Sequence, residues 1–436
     1  MRSILAAASA VAFAASATAQ VGGSATAPIG RPTIGPVDPA PPPAWSRSAA
    51  PRTEPLPASL TLTQALEEAE GRSPAIVAAR AAVDAAEARV RQAGFRSNPE
   101  LSVEVENFGG TGELSGLRRT ETTVAVNQRL DLGGRRRARV SVAQAELAVQ
   151  RLRLALARAE LAQNVREQFA RAATARDRLR LAEENAVRAT ELARIAAVLV
   201  DAGREPPLRA LRARSAAAQA AAEVEAARAE ERAARGTLAS LFGVTTPPDS
   251  VAGALVDIPP RTIDPEQSLE VRIAEAERLV AEAGLQQELT VRRFDPSVGI
   301  GARHVRETGD LAFVAGVSMP LQVFDRNQGN ISAARSTTEA AEARLRAAMA
   351  TARIRAQNAI IAVEAAAARV EALERAAIPE AAEALRLTQL SYQAGRASLL
   401  ELLDAQNAYT TAQSGLIDAR LAQAMATAEL GRVSAE

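Results

Sequence analysis

Cysteine and lysine are absent from this chain, and histidine occurs once, as His304. Each absence removes a class of chemistry. Without thiols there is no disulfide frame, no thiolate nucleophile and no cysteine-bound zinc. With one histidine, a Ser-His-Asp relay or a histidine metal cluster lacks its parts. No catalytic constellation can be assembled, so neither an enzyme nor a resident cofactor or metal is expected. Aromatic residues make up only 3% of 436 residues, less bulk than a soluble core of this size usually uses. Formal net charge is +1, so no basic surface argues for nucleic acid. Beyond the N-terminal segment, arginine and glutamate recur every few residues, which rules out a transmembrane helix. If the mature chain sits in a membrane, it does so by strands.

What is present is alanine, leucine, glutamate, arginine and glutamine, the composition of long helices and coiled coils. At the N-terminus, Met1-Arg2 precedes an apolar run from Ile4 to Ala17, and Ala17-Thr18-Ala19 fits a small-x-small cleavage site. Residues 1–19 are therefore expected to be an export signal, with Gln20 as the mature start. No cysteine follows, so no lipid anchor is expected there. Residues 20–58 are rich in proline, include Pro41-Pro42-Pro43 and the lone Trp45, and read as an extended segment.

The rest of the chain says nearly the same thing twice. The first repeat spans residues 59–244 and the second 268–436, with a Pro-rich linker at 245–267 between them. Each repeat reads as a helix, two strands, a very long helix and a return helix. In the first, a helix from Leu62 to about Ala93, capped by Thr61 or Thr63, precedes strands near 99–108 and 120–131. A long helix over about 134–201 and a return helix over about 206–242, opened by Pro206, complete it. In the second, strands are expected near 296–306 and 311–323, the long helix over about 329–394 and the return helix over about 398–431. Gly134 and Gly329 open the long helices, and Ala202-Gly203-Arg204 and Ala394-Gly395-Arg396 close them. About 65 helical residues span on the order of 100 Å. Pro379 interrupts only the second rod and predicts a bend there, which makes the second repeat the expected moving part.

The strands alternate. Leu101, Val103 and Val105 face one way, and Ser102, Glu104 and Glu106 the other; Val124 and Val126 oppose Ala125, Asn127 and Arg129. Val298, Ile300 and Ala302 share a face, as do Leu311, Phe313, Ala315, Val317 and Met319. A strand of about ten residues suits a tilted membrane crossing. Four strands cannot close a barrel, and lipid does not tolerate an open edge. Copies must share the barrel: two give about eight strands, three about twelve and room for a lumen. Glu104, Glu106 and Arg129 on the inferred inner face favour a wet lumen.

Several segments carry a family resemblance: Leu60 to Leu66 (LTLTQAL), Arg91 to Gly94 with Asn98 to Leu101, Leu130 to Gly134 (LDLGG) and Pro320 to Asn330 (PLQVFDRNQGN). Through them the chain resembles the TolC-like outer-membrane factors of tripartite efflux pumps, and within them the CzcC branch serving heavy-metal efflux. The resemblance covers essentially the whole chain after residue 58. It implies an α+β membrane protein: a homotrimer with a 12-stranded outer-membrane β-barrel, four strands per chain, continued by a long α-helical periplasmic barrel. It also implies a periplasmic adaptor and a proton-driven inner-membrane pump of the resistance-nodulation-division (RND) type. The expected function is a passive exit duct for divalent heavy-metal cations. A duct for drugs or type I protein secretion is the alternative within the family, and a periplasmic coiled-coil adaptor or scaffold the alternative outside it. An adaptor would carry one helical hairpin and a lipoyl-like β domain, not two hairpins with two strand pairs.

Within that picture the helix turns sit at the periplasmic tips. Val200, Asp201, Ala202, Gly203 and Arg204, with Tyr392, Gln393, Ala394, Gly395 and Arg396, form the expected adaptor-contact set. Asp201, Glu205 and Arg396 are candidate charges for holding the tip closed. Three further features are discounted. His304 reads as a rim residue, Asp325 beside Arg326 as a cap at the strand-to-helix junction, and Arg135-Arg136-Arg137 as a solvated corner.

Overall fold

A computed structural model describes residues 56–253 and 263–435. The expected export signal, Trp45 and the middle of the expected linker lie outside the described residues. The elements run β1 (Ser59–Leu60), α1 (Leu62–Arg72), α2 (Pro74–Gly94), β2 (Glu100–Glu106), β3 (Glu121–Arg129), α3 (Arg135–Asp201) and α4 (Pro207–Ser240). They continue with β4 (Ser250–Val251), α5 (Leu269–Val291), β5 (Ser297–Val305), β6 (Asp310–Ser318), α6 (Gln328–Ala372), α7 (Ile378–Gln393) and α8 (Leu399–Val433).

Helix α3 is the spine. Its 67 residues contain neither proline nor glycine, so nothing interrupts its hydrogen-bond ladder. It packs against α2 and α5 toward the strands, and against α4 and α8 toward the opposite end. Ion pairs mark the levels: Arg151–Glu87 and Arg153–Glu277 reach α2 and α5, and Arg178 reaches Glu230 on α4 and Asp418 on α8. Alanines at buried positions such as Ala170, Ala172, Ala173 and Ala175 let the rods approach closely.

Two apolar clusters hold the bundle. The mid-level cluster gathers Leu60, Leu62, Ala65, Val165, Phe169, Leu238, Phe242 and Val251. Burying a side chain such as Phe169 contributes about 1.5–3 kcal/mol. Val251 enters through β4, which pairs in parallel with β1. The segment read as a linker thus carries a packed strand at 250–251. The second cluster lies at the far end of the rods, around Leu192, Ala196, Leu385, Tyr392, Leu399 and Leu402.

Three details depart from expectation. The single helix expected from Leu62 to about Ala93 is two helices, because Pro74 cannot donate to the preceding turn and instead opens α2 after Ser73. Thr61 caps α1 through a capping box with Gln64. The second rod answers Pro379 with a widened π turn over Leu373–Ala377, just upstream of the proline. The ring would strike the carbonyl of Arg375, four residues earlier, and the wider turn accommodates it. Finally, β6 ends at Ser318 rather than 323, because Pro320 has no N–H to continue the ladder.

Candidate membrane sheet and docking tips

Strands β2, β3, β5 and β6 form one antiparallel sheet in that order. Its register sorts the side chains into two faces. Val103 opposes Val124, Val124 opposes Ala302, and Ala302 opposes Phe313. Leu101, Val126, Ile300 and Ala315 make the next row of the same face. These side chains are largely exposed, with Phe313 89% accessible. An apolar face of this extent left in water marks a partner or a membrane.

The opposite face is polar and small. Glu104 opposes Thr123, Thr123 opposes Arg303, and Glu106 opposes Glu121. Arg129 lies on this face beside Ser297. Glu100, Glu104, Glu106, Glu121 and Asp310 set five carboxylates against the guanidiniums of Arg129 and Arg303. Arg303 pairs with Glu121 at 3.0 Å and Glu106 at 3.1 Å and donates to Thr123 Oγ1. Sequence parity placed Glu104, Glu106 and Arg129 together but missed Arg303, whose two carboxylate partners come from different strands of the other repeat. Gly299 and Gly301 lie on the same face. A Cβ on Gly301 would meet the Val124 carbonyl at 2.4 Å, so the chains approach too closely there for any side chain. His304 falls on the apolar face, opposite Thr122 and Leu311. The outer edges of β2 and β6 have no strand partner among the described residues.

Where the sheet joins the helices, buried contacts lock the junction. Asp295, only 4% exposed, accepts from Gly133 N–H and forms an ion pair with Arg135 at 2.8 Å. Arg135 also donates to the carbonyls of Val291 and Arg293, and Arg136 and Arg139 to those of Gly94 and Phe95. These carbonyls end α2 and α5, where helix dipoles favour positive charge. The basic start of α3 therefore serves its antiparallel neighbours, which corrects the reading of Arg135 and Arg136 as solvated; Arg137 remains exposed. At the α6 junction, Asp325 accepts from Asn327 N–H, and Asn327 donates to Glu288 on α5. Exposed apolar residues crowd this level: Phe95, Leu132, Phe294, Leu321, Val323 and Phe324.

At the other end of the rods the two Ala-Gly-Arg turns have one geometry. Arg204 N–H donates to Leu199 O and Gly203 N–H to Val200 O; Arg396 N–H donates to Ser391 O and Gly395 N–H to Tyr392 O. Both are Schellman turns, with Gly203 at φ +66° and Gly395 at φ +72°. Ser398 and Glu401 form a capping box that starts α8, and the Glu401 carboxyl is held below its usual range, first by the Ser398 backbone N–H.

The structure brings both turns to one crevice of about 1110 Å³. Leu199, Arg204, Glu205 and Pro206 line one wall, and Tyr392, Gln393, Gly395 and Arg396 the other. Asp201, Ala202, Gly203, Arg204, Gln393, Ala394, Gly395 and Arg396 are exposed, Val200 is half-buried and Tyr392 is 6% exposed. Of the candidate gate charges, Glu205 pairs with Arg209 one turn later on its own hairpin. Neither Asp201 nor Arg396 has an ion pair among the described residues, so within one chain these three charges do not bridge the two turns. The Tyr392 hydroxyl is buried without a hydrogen-bond partner among the described residues, and burial, then the nearby Glu205 carboxylate, raises its pKa above the usual tyrosine value. Arg188 lies over the Tyr409 ring at 5.8 Å. No cluster of three or more metal-ligating side chains occurs among the described residues, and no helix there is long and apolar enough to cross a membrane.

Comparison with known proteins agrees with this architecture. The family model described as "Outer membrane efflux protein" matches residues 65–244 and 266–435, one segment per repeat. The cobalt-zinc-cadmium resistance protein CzcC of Cupriavidus metallidurans is 30% identical over 357 residues, covering 80% of this chain and 83% of that protein. The nickel and cobalt resistance protein CnrC of the same organism is 33% identical over 286 residues, 64% of this chain and 68% of its own. Among solved structures, the outer membrane protein VceC of Vibrio cholerae superposes with a TM-score of 0.73 at 21% identity, covering 86% of this chain and 96% of that one. CusC gives a TM-score of 0.74 at 17% identity, covering 86% and 92%. At these identities the two structures speak for a shared TolC-like fold.

Proposed function

The chain belongs to the outer membrane efflux protein family, and from that premise we propose that it is the outer-membrane exit duct of a tripartite efflux system for divalent heavy-metal cations. The sheet is the observation that carries the reading. One face is apolar, the other is acidic, and both edges are unpaired. Three copies joined edge to edge supply about twelve strands, enough to close a barrel around a wet lumen. The apolar face then meets lipid, and the polar face, with Glu104, Glu106 and Arg129, lines the lumen. Export by the N-terminal signal delivers the chain to the outer membrane.

Cargo is inferred from the relatives, which are named for resistance to cobalt, zinc, cadmium and nickel. An excess of carboxylates over guanidiniums on the lumen face favours cations by electrostatics alone, without a fixed binding site. Selectivity among metals then belongs to an inner-membrane RND pump, and an adaptor connects the two. The adaptor docks at the paired tips, where Arg204 and Arg396 occupy equivalent exposed positions without an ion pair among the described residues and suit an acidic partner surface.

The test has two arms. Purified protein is added to a planar bilayer, and the gene is returned to a strain lacking its own metal-efflux channel. The expected result is a cation-selective conductance from a trimer, together with restored resistance to cobalt, zinc or cadmium. Recovery as a soluble periplasmic monomer overturns the channel. Conductance with restored drug resistance but no metal resistance overturns the cargo alone.

A further inference from the structure

The four strands meet the helices at one end of the sheet: before β2, after β3, before β5 and after β6. Each of these four junctions carries an exposed arginine whose guanidinium the fold does not use, namely Arg96, Arg137, Arg292 and Arg326. None of these four guanidiniums has an ion pair or a hydrogen bond among the described residues. Their neighbours Arg135, Arg136, Arg139 and Arg293 are all spent on junction carbonyls. The arginines at this level thus divide into a set that donates to junction carbonyls and a set with no partner among the described residues.

Exposed apolar residues accompany each outward arginine. Phe95 precedes Arg96, Leu132 stands in the Arg137 junction, Phe294 follows Arg292, and Leu321, Val323 and Phe324 precede Arg326. Phe324 is 92% exposed on a loop held by Asn327 and by Gln322, which donates to the carbonyl of Val291. A chain with only eight phenylalanines places three of them here. Apolar rings beside guanidiniums suit the membrane–water boundary, where the ring enters the acyl edge and the charge stays at the headgroup.

We propose that these four junctions form a ring that binds the anionic headgroups of phospholipids in the periplasm-facing leaflet. The inference rests on the outer-membrane reading, because it takes the apolar face of the sheet as the lipid contact that ends at this level. Asp131 and Asp325 share the level, the latter accepting from Asn327 N–H, and against the four outward guanidiniums they leave the charge there positive. A second copy of the chain does not explain the pattern. Edge-to-edge joining of sheets covers the junctions of β2 and β6, with Arg96 and Arg326. Arg137 and Arg292 adjoin the central strands β3 and β5, which no neighbour in the sheet reaches. A membrane surface meets all four.

The purified protein is compared with the variant R96Q/R137Q/R292Q/R326Q in flotation and native mass spectrometry. Vesicles are phosphatidylcholine alone or phosphatidylcholine mixed with phosphatidylglycerol. The original chain is expected to retain phosphatidylglycerol in preference to phosphatidylcholine, by about five-fold per arginine at low salt. The preference falls as salt screens it. The variant is expected to float equally with both vesicles, still as a trimer, and a four-lysine variant to recover the preference. R137Q/R292Q, which touches only central junctions, is expected to lose a large part of it. Equal retention of both lipids by the original chain overturns the proposal, as does an unchanged preference in both glutamine variants. Dissociated trimers in R137Q/R292Q also overturn it, by assigning these arginines to subunit contacts. Loss of the preference on adding millimolar inorganic phosphate would assign the site to free phosphate instead. Failure of the original chain to float with either vesicle overturns the outer-membrane reading itself.

Discussion

Gly203 and Gly395 take a left-handed backbone conformation that side chains reach at a cost of about 1–2 kcal/mol. Nothing lies within 4 Å of a Cβ added at either position, so the penalty for a substitution is conformational rather than steric. Gly203→Asn is therefore expected to destabilise less than Gly203→Ala, and Ala less than Val, in thermal unfolding of the purified protein. Gly203→Pro or Gly395→Pro forces φ near −65° and deletes the N–H that closes the Schellman turn. Efflux is expected to be lost while trimers still form; loss of trimers would assign these turns to folding rather than docking. Tyr392 gives a prediction of opposite sign. Its hydroxyl is buried with no partner among the described residues, and such a group costs about 1–3 kcal/mol. Tyr392→Phe is expected to leave stability unchanged or raise it, and a lower melting temperature would mean that the hydroxyl has a partner in the assembled protein.

Among the elements, the sheet was the most legible in the sequence. Alternation at Leu101 to Glu106 and at Val298 to Ala302 is a local signal, and side-chain period two leaves one register that keeps both faces pure. The same logic yields a paired test. Ile300→Arg puts a charge near the middle of the apolar face, at a cost of about 2–4 kcal/mol in a bilayer. It is expected to abolish membrane insertion, measured by heat-resistant trimers in the outer-membrane fraction. Glu104→Arg on the other face is expected to insert normally and to lower cation selectivity in single-channel recordings. Other features could not be read locally. The Asp295–Arg135 pair joins residues 160 positions apart in sequence. The two-residue strands β1 and β4 carry no periodicity at all. The π turn at Leu373–Ala377 has no composition cue of its own; Pro379 announced a disturbance, but not which of several relaxations the helix would adopt. The Gly134 and Gly329 match is off by two residues, since the positive φ that opens α6 belongs to Asn327.

At the scale of the whole molecule, the tips became legible as a pair only through the fold. Both Ala-Gly-Arg turns could be seen in the sequence, but their meeting in one crevice depends on α3 packing against α8. Of the candidate gate charges Asp201, Glu205 and Arg396, Glu205 pairs within the chain with Arg209 on its own hairpin, the cheaper partner one helical turn away. The proposed assembly has a direct test, because the native chain contains no cysteine. One cysteine introduced on β2 and one on β6 are expected to cross-link copies under oxidation into a ladder that stops at trimer. A ladder that stops at dimer would mean a barrel of about eight strands.

The unpaired edges of β2 and β6 also fix an order of events. A single chain presents two rows of unsatisfied backbone groups, which hydrocarbon penalises by several kcal/mol per group. On the proposed assembly, no solitary chain can rest in the bilayer as an intermediate awaiting its partners. Meeting and insertion are then one step, whose rate climbs steeply with the number of exported copies rather than in proportion to it. Poorly expressed chains would linger in the periplasm, where bare sheet edges invite aggregation and proteolysis. A cell making this protein therefore gains little from a small dose of it, and its abundance in the outer membrane should switch on over a narrow range of synthesis rate.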